Sequence, residues 1–368
     1  MEIYERLKVR PVINANATLT RLGGSLMPPE VVAAMQAAGE HFVDLHELQR
    51  AVGTRIAELT RNEAAYVTSG AAAGLYLSTL ACGLTEDPVD GVTLLDAPRN
   101  EIIIHRSHLC AYAPSIELAG ATLVWIDDSS GATERRLREA ISARSAGIFY
   151  FAGTHFGNSA LPFERVVDIA HEAGLPVVVD AAAQLPPADN LWRFTRDVGA
   201  DLAVFSGGKG LRGPQSSGLT VGRADLIEVC RAHGAPNIQR GRAMKVGKEE
   251  MLGLLAAIER YVTLDQDELS RRYEAMVRVI IDAVSELPGV AATRDWPSEA
   301  GQPIPRARVA LGSGAEAVAE ELWEGNPRIA VATDGDAALL INPETLEPGE
   351  ELLVAERLAE ALERWTER

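Results

Sequence analysis

The amino-acid sequence predicts an α/β fold with a large, mostly parallel β-sheet covered by helices, followed by a smaller α/β unit. Two observations carry this prediction. Between residues 63 and 206, short apolar strands alternate with helix-periodic segments, the pattern of parallel sheets with helices on both faces. After about residue 222 the segments become long, charged and helix-periodic, and strands and helices alternate again over about 307–368.

The strands of the predicted sheet are short apolar runs with many β-branched residues. They lie at 63–68, 101–105, 121–126, 147–151, 176–180 and 202–206. The helices predicted between them lie at about 71–82, 112–119, 133–141 and 163–174. Further along, helices are expected within 223–232 and 247–285. Residues 286–308 are rich in Pro, Gly and Arg, which indicates a loop or linker.

Composition and charge argue against several classes of protein. The chain has 368 residues and a net charge of −17, whereas nucleic-acid binding needs lysine and arginine concentrated on one face. No segment approaches the ~18–20 apolar residues of a membrane span, and the N-terminus lacks a secretory pattern. We therefore expect a cytoplasmic protein without a nucleic-acid or membrane partner. The three cysteines, Cys82, Cys110 and Cys230, lie far apart and predict neither a metal site nor disulfides.

Polar residues follow three of the predicted strands where those strands end. These are the segment Thr68-Ser69-Gly70, Asp180, and Ser206 with Lys209 shortly after it. In open parallel sheets, ligands bind at the carboxyl ends of the strands. The coincidence of three polar features at such ends predicts a binding site there.

The segment VTSGAAAGL, residues 67–75, joins a strand to a helix through small residues. The first amides of a helix have no partner within the helix, so they attract anions, and small side chains let a phosphate approach. The alternative is that Ser69 simply caps the helix. The segment contains neither the GxxxxGK[ST] nor the GxGxxG pattern.

Asp180 ends the apolar run Val177-Val178-Val179 and precedes three alanines. A carboxylate in such a place is costly unless it has a partner. It is either a helix cap or surface turn, or the partner of a ring nitrogen that must stay protonated.

Lys209 lies in FSGGKGLRGPQSSG, residues 205–218. An amine held in a crowded, partly desolvated place becomes a nucleophile toward carbonyls, although a single lysine is more often a solvated surface charge. We expect the neighbouring glycines to leave room for a flat ring. Amine, anion-binding helix start and buried carboxylate together match pyridoxal 5'-phosphate (PLP), whose aldehyde, phosphate and ring nitrogen need these three groups.

The lysine segment resembles that of the SelA-like group of fold-type-I PLP-dependent enzymes, the group of D-glucosaminate-6-phosphate ammonia-lyase and L-seryl-tRNA selenium transferase. The resemblance covers about residues 5–265 and is closest to the ammonia-lyase branch. It implies an aspartate aminotransferase-like fold. Besides FSGGKGLRGPQSSGLTVGRADLI, it rests on VINANATLTRLGGS (12–25), VTSGAAAGL (67–75), LPVVVDAAAQLPP (175–187) and GRAMKVGKEEMLGLLAAIERY (241–261).

The resemblance also implies roles for individual residues. Lys209 would bind the cofactor covalently and move protons once released, and Asp180 would pair with the ring nitrogen. Ala182 would lie against one ring face. The phosphate would be held by Ser69, Gly70, Ala71 and Ser206.

Further roles follow from the same resemblance. His108 would stack on the ring, with His105 and Tyr112 as alternatives, and Asn158 would reach the cofactor's 3-hydroxyl oxygen. Thr20 and Arg242 would contact the substrate. Lys245 and Lys248 are also candidates for an anionic substrate, and a solvated helix face is the alternative for all three cations. Two departures from the group, Asn16 and TRNEAA at 60–65, leave the substrate's identity open.

For the whole chain, the resemblance implies three parts and at least a homodimer. Residues 1–45 would form an N-terminal segment that contributes to the dimer and the active site. Residues 46–260 would form the large PLP-binding domain, and residues 261–368 a small C-terminal α/β domain.

The expected reaction is α,β-elimination, by an ammonia-lyase or dehydratase, from a β-hydroxy or sugar-derived amino acid. Racemisation, β-replacement and transamination begin with the same loss of a proton and remain alternatives. A catalytically silent PLP-fold regulatory or interaction protein is an alternative of another class, but the intact Lys209 argues against it. The strongly acidic chain argues against a tRNA substrate, so we expect a small amino acid.

Overall fold

A computed structural model describes residues 2–84, 97–110, 112–127, 131, 133–157 and 159–367. The strands in these ranges are β1 (Val12–Asn14), β2 (Ala64–Thr68), β3 (Glu101–His105), β4 (Thr122–Ile126), β5 (Ser145–Phe151), β6 (Val177–Asp180), β7 (Leu202–Ser206), β8 (Gly218–Gly222), β9 (Ala291–Asp295), β10 (Arg306–Ala310), β11 (Arg328–Ala330), β12 (Ala332–Asp334) and β13 (Ala338–Ile341). The helices are α1 (Glu2–Arg6), α2 (Pro29–Gly39), α3 (Leu45–Thr60), α4 (Ala71–Gly83), α5 (Pro114–Leu118), α6 (Glu134–Ala140), α7 (Phe163–Glu172), α8 (Asn190–Trp192), α9 (Ala224–His233), α10 (Lys248–Tyr261), α11 (Gln266–Val284), α12 (Ala315–Glu324) and α13 (Glu350–Thr366).

The chain forms two compact units, one of residues 27–263 and one of residues 1–26 together with 264–368. The segment predicted as 1–45 is thus divided between them. The reason is the packing of α2 on α10, where the Arg260 guanidinium lies 2.9 Å from Glu30 and the Lys248 amine donates to the Ala38 carbonyl. The contribution of residues 1–45 to a dimer and to the active site stays a prediction.

The larger unit contains a seven-stranded sheet in the order β2-β8-β7-β6-β5-β3-β4. The strands β7, β6, β5, β3 and β4 pair in parallel, which confirms the predicted mostly parallel sheet. Strand β8 is antiparallel to both β2 and β7, so β2 runs in the same direction as β7. The carboxyl ends of β2 and of β5 to β7 therefore lie at one edge of the sheet.

The strands are apolar because helices cover both faces of the sheet. Ile102, Ile103 and Ile104 of β3 are fully buried, as are Val177 to Val179 of β6. Helix α4 is buried along nearly its whole length after the first turn, which explains its lack of charged residues. Strand β2 is an outer strand of this sheet. On its unpaired side, the buried Gln49 side chain donates to the Val67 carbonyl at 3.0 Å and accepts from the Val67 amide at 3.2 Å.

The smaller unit contains a four-stranded antiparallel sheet in the order β12-β13-β10-β9 and a parallel pair, β1 with β11. Residues 286–308, predicted as a loop or linker, include β9 and the first residues of β10, so that prediction is wrong for 291–295 and 306–308. Strand β9 is largely exposed on both faces and lacks apolar alternation, which hides it in the sequence. No helix in the described part of the chain is long and apolar enough to cross a membrane.

Candidate active site

Strand pairing brings the predicted site segments to one edge of the sheet in the larger unit. Thr68 at the end of β2 and Ser206 at the end of β7 both pair with Gly218 of β8. Asp180 at the end of β6 pairs with Val204, two residues before Ser206. Because neighbouring strands lie about 4.8 Å apart, the turn after Thr68, the Asp180 carboxylate and the lysine segment are close neighbours.

The turn before α4 leaves the start of that helix open. Gly70 has φ 86° and ψ 163°, a backbone conformation that favours glycine, and the Thr68 hydroxyl donates to its carbonyl at 2.9 Å. No side chain caps α4, so Ser69 does not act as a helix cap. Ser69, Gly70 and Ala71 are all partly exposed. The unpartnered amides of the first turn are therefore available to an anion.

Asp180 is a buried carboxylate with one oxygen unused. Its side chain is 7% exposed, and Oδ1 accepts a hydrogen bond from the Ala182 amide at 2.9 Å. Among the described residues, Oδ2 has no hydrogen-bond partner. Burial raises the pKa of this carboxyl, while the Ala182 amide and the positive charge of Lys209 lower it. A cationic hydrogen-bond donor at Oδ2 would favour the ionised form.

The lysine segment closes on itself between β7 and β8. The Gly207 amide donates to the Ser217 carbonyl at 2.9 Å, and the Gly213 amide donates to the Gly207 carbonyl at 2.8 Å. The Arg212 amide donates to the Lys209 carbonyl at 2.8 Å. These bonds fix the backbone of Lys209, whose side chain is half-buried and close enough to Asp180 for their charges to interact.

The glycines around Lys209 do not leave the slot for a flat ring that the sequence predicts. A Cβ atom on Gly208 would lie 2.5 Å from the Gln215 Cα, and one on Gly210 would collide with the Leu185 carbonyl oxygen. A Cβ atom on Gly207 would collide with the Ser217 hydroxyl. Other parts of the protein fill this space, so the glycines are needed for the tight packing of the lysine segment.

His108 is buried among aromatic side chains, with 2% of its surface exposed. Its Nδ1 accepts a hydrogen bond from the Phe151 amide at 3.3 Å, and its ring meets that of Tyr150 edge-on at 4.6 Å between centroids. Stacking of His108 on a cofactor stays a prediction. Of its two alternatives, His105 is fully buried and Tyr112 is 47% exposed.

Ala182 and Ser206, the remaining predicted contacts of the cofactor, are partly exposed at the ends of β6 and β7. Asn158 lies outside the described residues. Thr20 is exposed in a 3-10 turn, Thr20–Leu22, of the smaller unit. The predicted contacts of Thr20 and Asn158 stay predictions.

Arg242 is exposed on a segment that packs beside α4. The Tyr76 hydroxyl of α4 donates to the Arg240 carbonyl at 3.0 Å, and Gly241 packs closely on Leu77. Lys248 differs from Arg242, because its amine bonds to the Ala38 carbonyl and lies 2.5 Å from a Glu249 carboxylate oxygen. Lys248 thus ties helices together, and Arg242 and Lys245 are the exposed cations of this segment.

Two residues of the site were missed in the sequence. Gly218 lies against Gly70, a contact across strands that no local pattern signals. Cys110 is half-buried and lies near Asp180. Burial raises the pKa of the Cys110 thiol, and the Asp180 carboxylate adds to this effect.

The groups at this edge of the sheet fit PLP. A half-buried amine lies near a buried carboxylate with a free oxygen, and the uncapped start of α4 can take a phosphate. Lys209 would bond to the aldehyde, Asp180 would accept from the protonated ring nitrogen, and the turn 69–71 would hold the phosphate.

Comparison with known proteins agrees with PLP as the cofactor. Residues 24–241 match the aminotransferase class-V family. The chain is 32% identical to 5'-C-glycyluridine monooxygenase-decarboxylase of a Streptomyces species, over 98% of this chain and 92% of that protein. It is 31% identical to D-glucosaminate-6-phosphate ammonia lyase of Salmonella typhimurium, over 98% of both chains.

A solved structure of D-glucosaminate-6-phosphate ammonia-lyase superimposes with a TM-score of 0.83, at 30% identity and over 98% of both chains. The resemblance to the ammonia-lyase group and the aspartate aminotransferase-like fold, both predicted from the sequence, are confirmed. The family match covers more than half of the sequence. The chain belongs to the aminotransferase class-V family of fold-type-I, PLP-dependent enzymes.

Proposed function

We propose that this enzyme is an ammonia-lyase that carries out α,β-elimination on a β-hydroxy or sugar-derived amino acid. The observation that carries the proposal is the meeting of Lys209, Asp180 and the open start of α4 at one edge of the sheet. The likeness to D-glucosaminate-6-phosphate ammonia lyase along nearly the whole chain supports this branch of chemistry.

Bound PLP supplies an electron sink for the charge that develops at the substrate's α-carbon. Asp180 would sustain that capacity, because its Oδ2 would accept a hydrogen bond from the ring nitrogen and keep that nitrogen protonated. The Ala182 amide holds Oδ1 and so orients the carboxylate. The amides of the turn 69–71, together with Ser206 at the end of β7, would hold the phosphate and fix the position of the cofactor.

Lys209 moves the protons of the reaction. Its Nζ takes the proton from the substrate's α-carbon and gives it to the departing β-hydroxyl, which leaves as water. Hydrolysis of the released enamine yields a 2-keto acid and ammonia. The nearby Asp180 carboxylate and the closed backbone of residues 207–213 keep the amine in place.

Arg242 is the proposed ligand of an anionic group on the substrate. Its guanidinium is exposed. A guanidinium group binds phosphate or carboxylate through two parallel hydrogen bonds. Thr20 is proposed as a second substrate contact.

The enzyme is proposed to act in the cytoplasm as a homodimer or larger homo-oligomer, without a nucleic-acid or membrane partner. Exposed apolar side chains of the larger unit support a protein contact. Phe42 is 104% exposed, Ile238 is 90% exposed and Val43 is 49% exposed. Burial of such side chains against a second copy would remove a substantial apolar area from water.

The first test is the visible spectrum of the purified protein, with Lys209→Ala beside the wild type. We expect a yellow wild type whose chromophore becomes fixed to Lys209 by borohydride, as located by peptide mass spectrometry. The Lys209→Ala variant should not fix it. A colourless protein that ignores added PLP would overturn the cofactor assignment.

The second test separates the reaction branches. We expect 2-keto acid and ammonia in equal amounts when β-hydroxy and sugar-derived amino acids are screened. The relative named 5'-C-glycyluridine monooxygenase-decarboxylase favours one other candidate, an oxygen-dependent decarboxylation. Uptake of oxygen with release of carbon dioxide and no ammonia would overturn the lyase proposal in favour of that reaction.

A further inference from the structure

A pocket of about 460 Å³ lies near the amino end of β2, whereas the candidate active site lies at the carboxyl ends of the strands. Helices α3 and α9 and the residues that begin β2 line it. The candidate site lies beyond the other end of β2, after Thr68, about 13 Å further along the strand. Its lining includes Arg50, Gly53, Glu58, Glu63, Glu228 and Arg231.

One end of this pocket is cationic. Arg50 of α3 and Arg231 of α9 both pair with Glu228, Arg50 at 3.5 Å. The Arg231 side chain is only 12% exposed, and its Nε has no hydrogen-bond partner among the described residues. Burial lowers the pKa of Arg231, and the charge of Arg50 lowers it further. One carboxylate thus faces two guanidinium groups, which leaves one positive charge uncompensated.

The Arg231 guanidinium lies close to Gly53, which has no side chain, in the wall of the pocket. A Cβ atom on Gly53 would lie 3.6 Å from the Arg231 terminal nitrogen Nη2 and 2.5 Å from the Ala65 carbonyl oxygen. The guanidinium therefore lies beside the backbone of α3, within the lining of the pocket.

The other end of the pocket is acidic. The Glu58 Oε2 accepts from Arg55 at 3.2 Å, and the Glu63 Oε2 accepts from the Ala224 amide at 3.0 Å. In each carboxylate, Oε1 has no hydrogen-bond partner among the described residues. Glu58 lies eight positions after Arg50 in α3, so the Cα atoms of these two residues are about 12 Å apart along the helix axis.

We propose that this pocket binds a zwitterion with separated charges, an ω-amino or basic amino acid, whose carboxylate contacts Arg50 and Arg231 and whose ammonium contacts Glu58 and Glu63. An extended ligand with five methylene groups spans about 7 Å, and with a hydrogen bond of about 2.8 Å at each end its reach is of the same size as the separation of the Arg50 and Glu58 Cα atoms along α3. A doubly charged phosphate fits less well, because three carboxylates line the same pocket.

The test is calorimetric titration of the holoenzyme with 6-aminohexanoate. Hexanoate, which lacks the ammonium group, and hexylamine, which lacks the carboxylate, are titrated in parallel. We expect 6-aminohexanoate to bind at least tenfold more tightly than either, with the visible spectrum of the cofactor unchanged. Equal affinities, or no binding, would overturn the proposal, and a change in the spectrum would show binding at the active site instead.

Variants locate the binding. Arg50→Gln replaces a side chain that is 62% exposed, and Glu63→Gln keeps an oxygen for the Ala224 amide, so both should fold. Each should weaken 6-aminohexanoate binding at least tenfold and leave keto-acid formation unchanged. Arg135→Gln, on the exposed face of α6, is the matched control and should bind like the wild type. Undiminished binding by both pocket variants would refute the assignment.

Discussion

A Cβ atom added to Gly218 would lie 2.5 Å from the carbonyl oxygen of Gly70, so the start of β8 and the turn before α4 pack backbone against backbone. The same atom would lie 2.6 Å from the Thr68 hydroxyl oxygen, which is hydrogen-bonded to Gly70. Gly218 also pairs with Ser206 of β7. One glycine thus joins the proposed phosphate-binding turn to the end of β7, three residues before Lys209.

Gly218→Ala should damage both the fold and the cofactor site. Backbone atoms cannot move aside as a flexible side chain can, so we expect a loss of about 2–3 kcal/mol in the free energy of unfolding and a lower affinity for PLP. Urea denaturation and PLP titration measure the two effects. Gly39→Ala is the control, since a Cβ atom there would meet nothing within 4 Å. Equal stability of the two variants would contradict the prediction.

Asp180→Asn should test the role of this carboxylate in catalysis. An amide cannot keep the ring nitrogen protonated, so we expect keto-acid formation to fall by about 100-fold or more. Steady-state rates at saturating PLP measure this loss. Full activity of Asp180→Asn would contradict the assigned role.

The raised pKa of Asp180 predicts that the free energy of unfolding of the apoprotein depends on pH, with Asp180→Asn as the reference. The folded-state pKa of Asp180 is raised by burial above its ordinary value of 3.8, so the folded state holds this proton more tightly than the unfolded state. The resulting stabilisation is present at acid pH and is lost as the pH rises through the raised pKa. Relative to Asp180→Asn, the wild-type apoprotein should therefore lose stability from pH 4 to pH 8. Urea denaturation of both apoproteins over this range would show parallel curves if Asp180 had no such effect.

Gln49→Leu should destabilise β2, an outer strand of the larger sheet. The Gln49 amide satisfies both backbone groups of Val67, and leucine would leave those buried groups without partners. We expect a loss of about 2–4 kcal/mol in the free energy of unfolding, measured by urea denaturation. Gln36→Leu on the exposed face of α2 should change stability by no more than about 0.5 kcal/mol. A similarly small change for Gln49→Leu would show that the Val67 amide and carbonyl find other hydrogen-bond partners in the variant.

The three cysteines should react very differently in the native protein. Cys82 and Cys230 are buried, and burial raises the pKa of both thiols, that of Cys230 to about 12. Cys110 is half-buried near Asp180, so bound PLP should slow its reaction. Titration with a chromogenic disulfide at pH 8 should detect one native thiol, absent in Cys110→Ser, and three after denaturation. Detection of two or more native thiols would contradict the packing described for α4 and α9.

Much of the larger unit could be predicted from the sequence, because parallel strands buried on both faces leave uninterrupted apolar runs such as Val177 to Val179. Strand β8 escaped prediction because glycine stands at both of its ends, which is typical of turns. Strand β9 escaped because its exposed residues show no alternation.

The chemistry of the site was easier to predict than the packing that holds it. An amine, a carboxylate and a small-residue helix start are visible as residue types at strand ends, and the fold brings them together. The space around a glycine is set by distant neighbours, such as Leu185 beside Gly210, and cannot be deduced locally. Arg50 and Arg231 likewise resemble ordinary charges on solvated helix faces until α3 and α9 place them in one pocket.

The smaller unit is built from both ends of the sequence, and this has a consequence for biosynthesis. Strand β1 pairs with β11, and the Thr345 hydroxyl donates to the Asn14 carbonyl, 331 residues earlier in the chain. The ribosome releases β1 first and its partners last, after the whole of residues 27–263 has emerged. At about 5–20 residues per second, β1 waits some tens of seconds for β11. During translation this early strand therefore stays without its native partner, and native structure in the smaller unit is completed only near the end of synthesis.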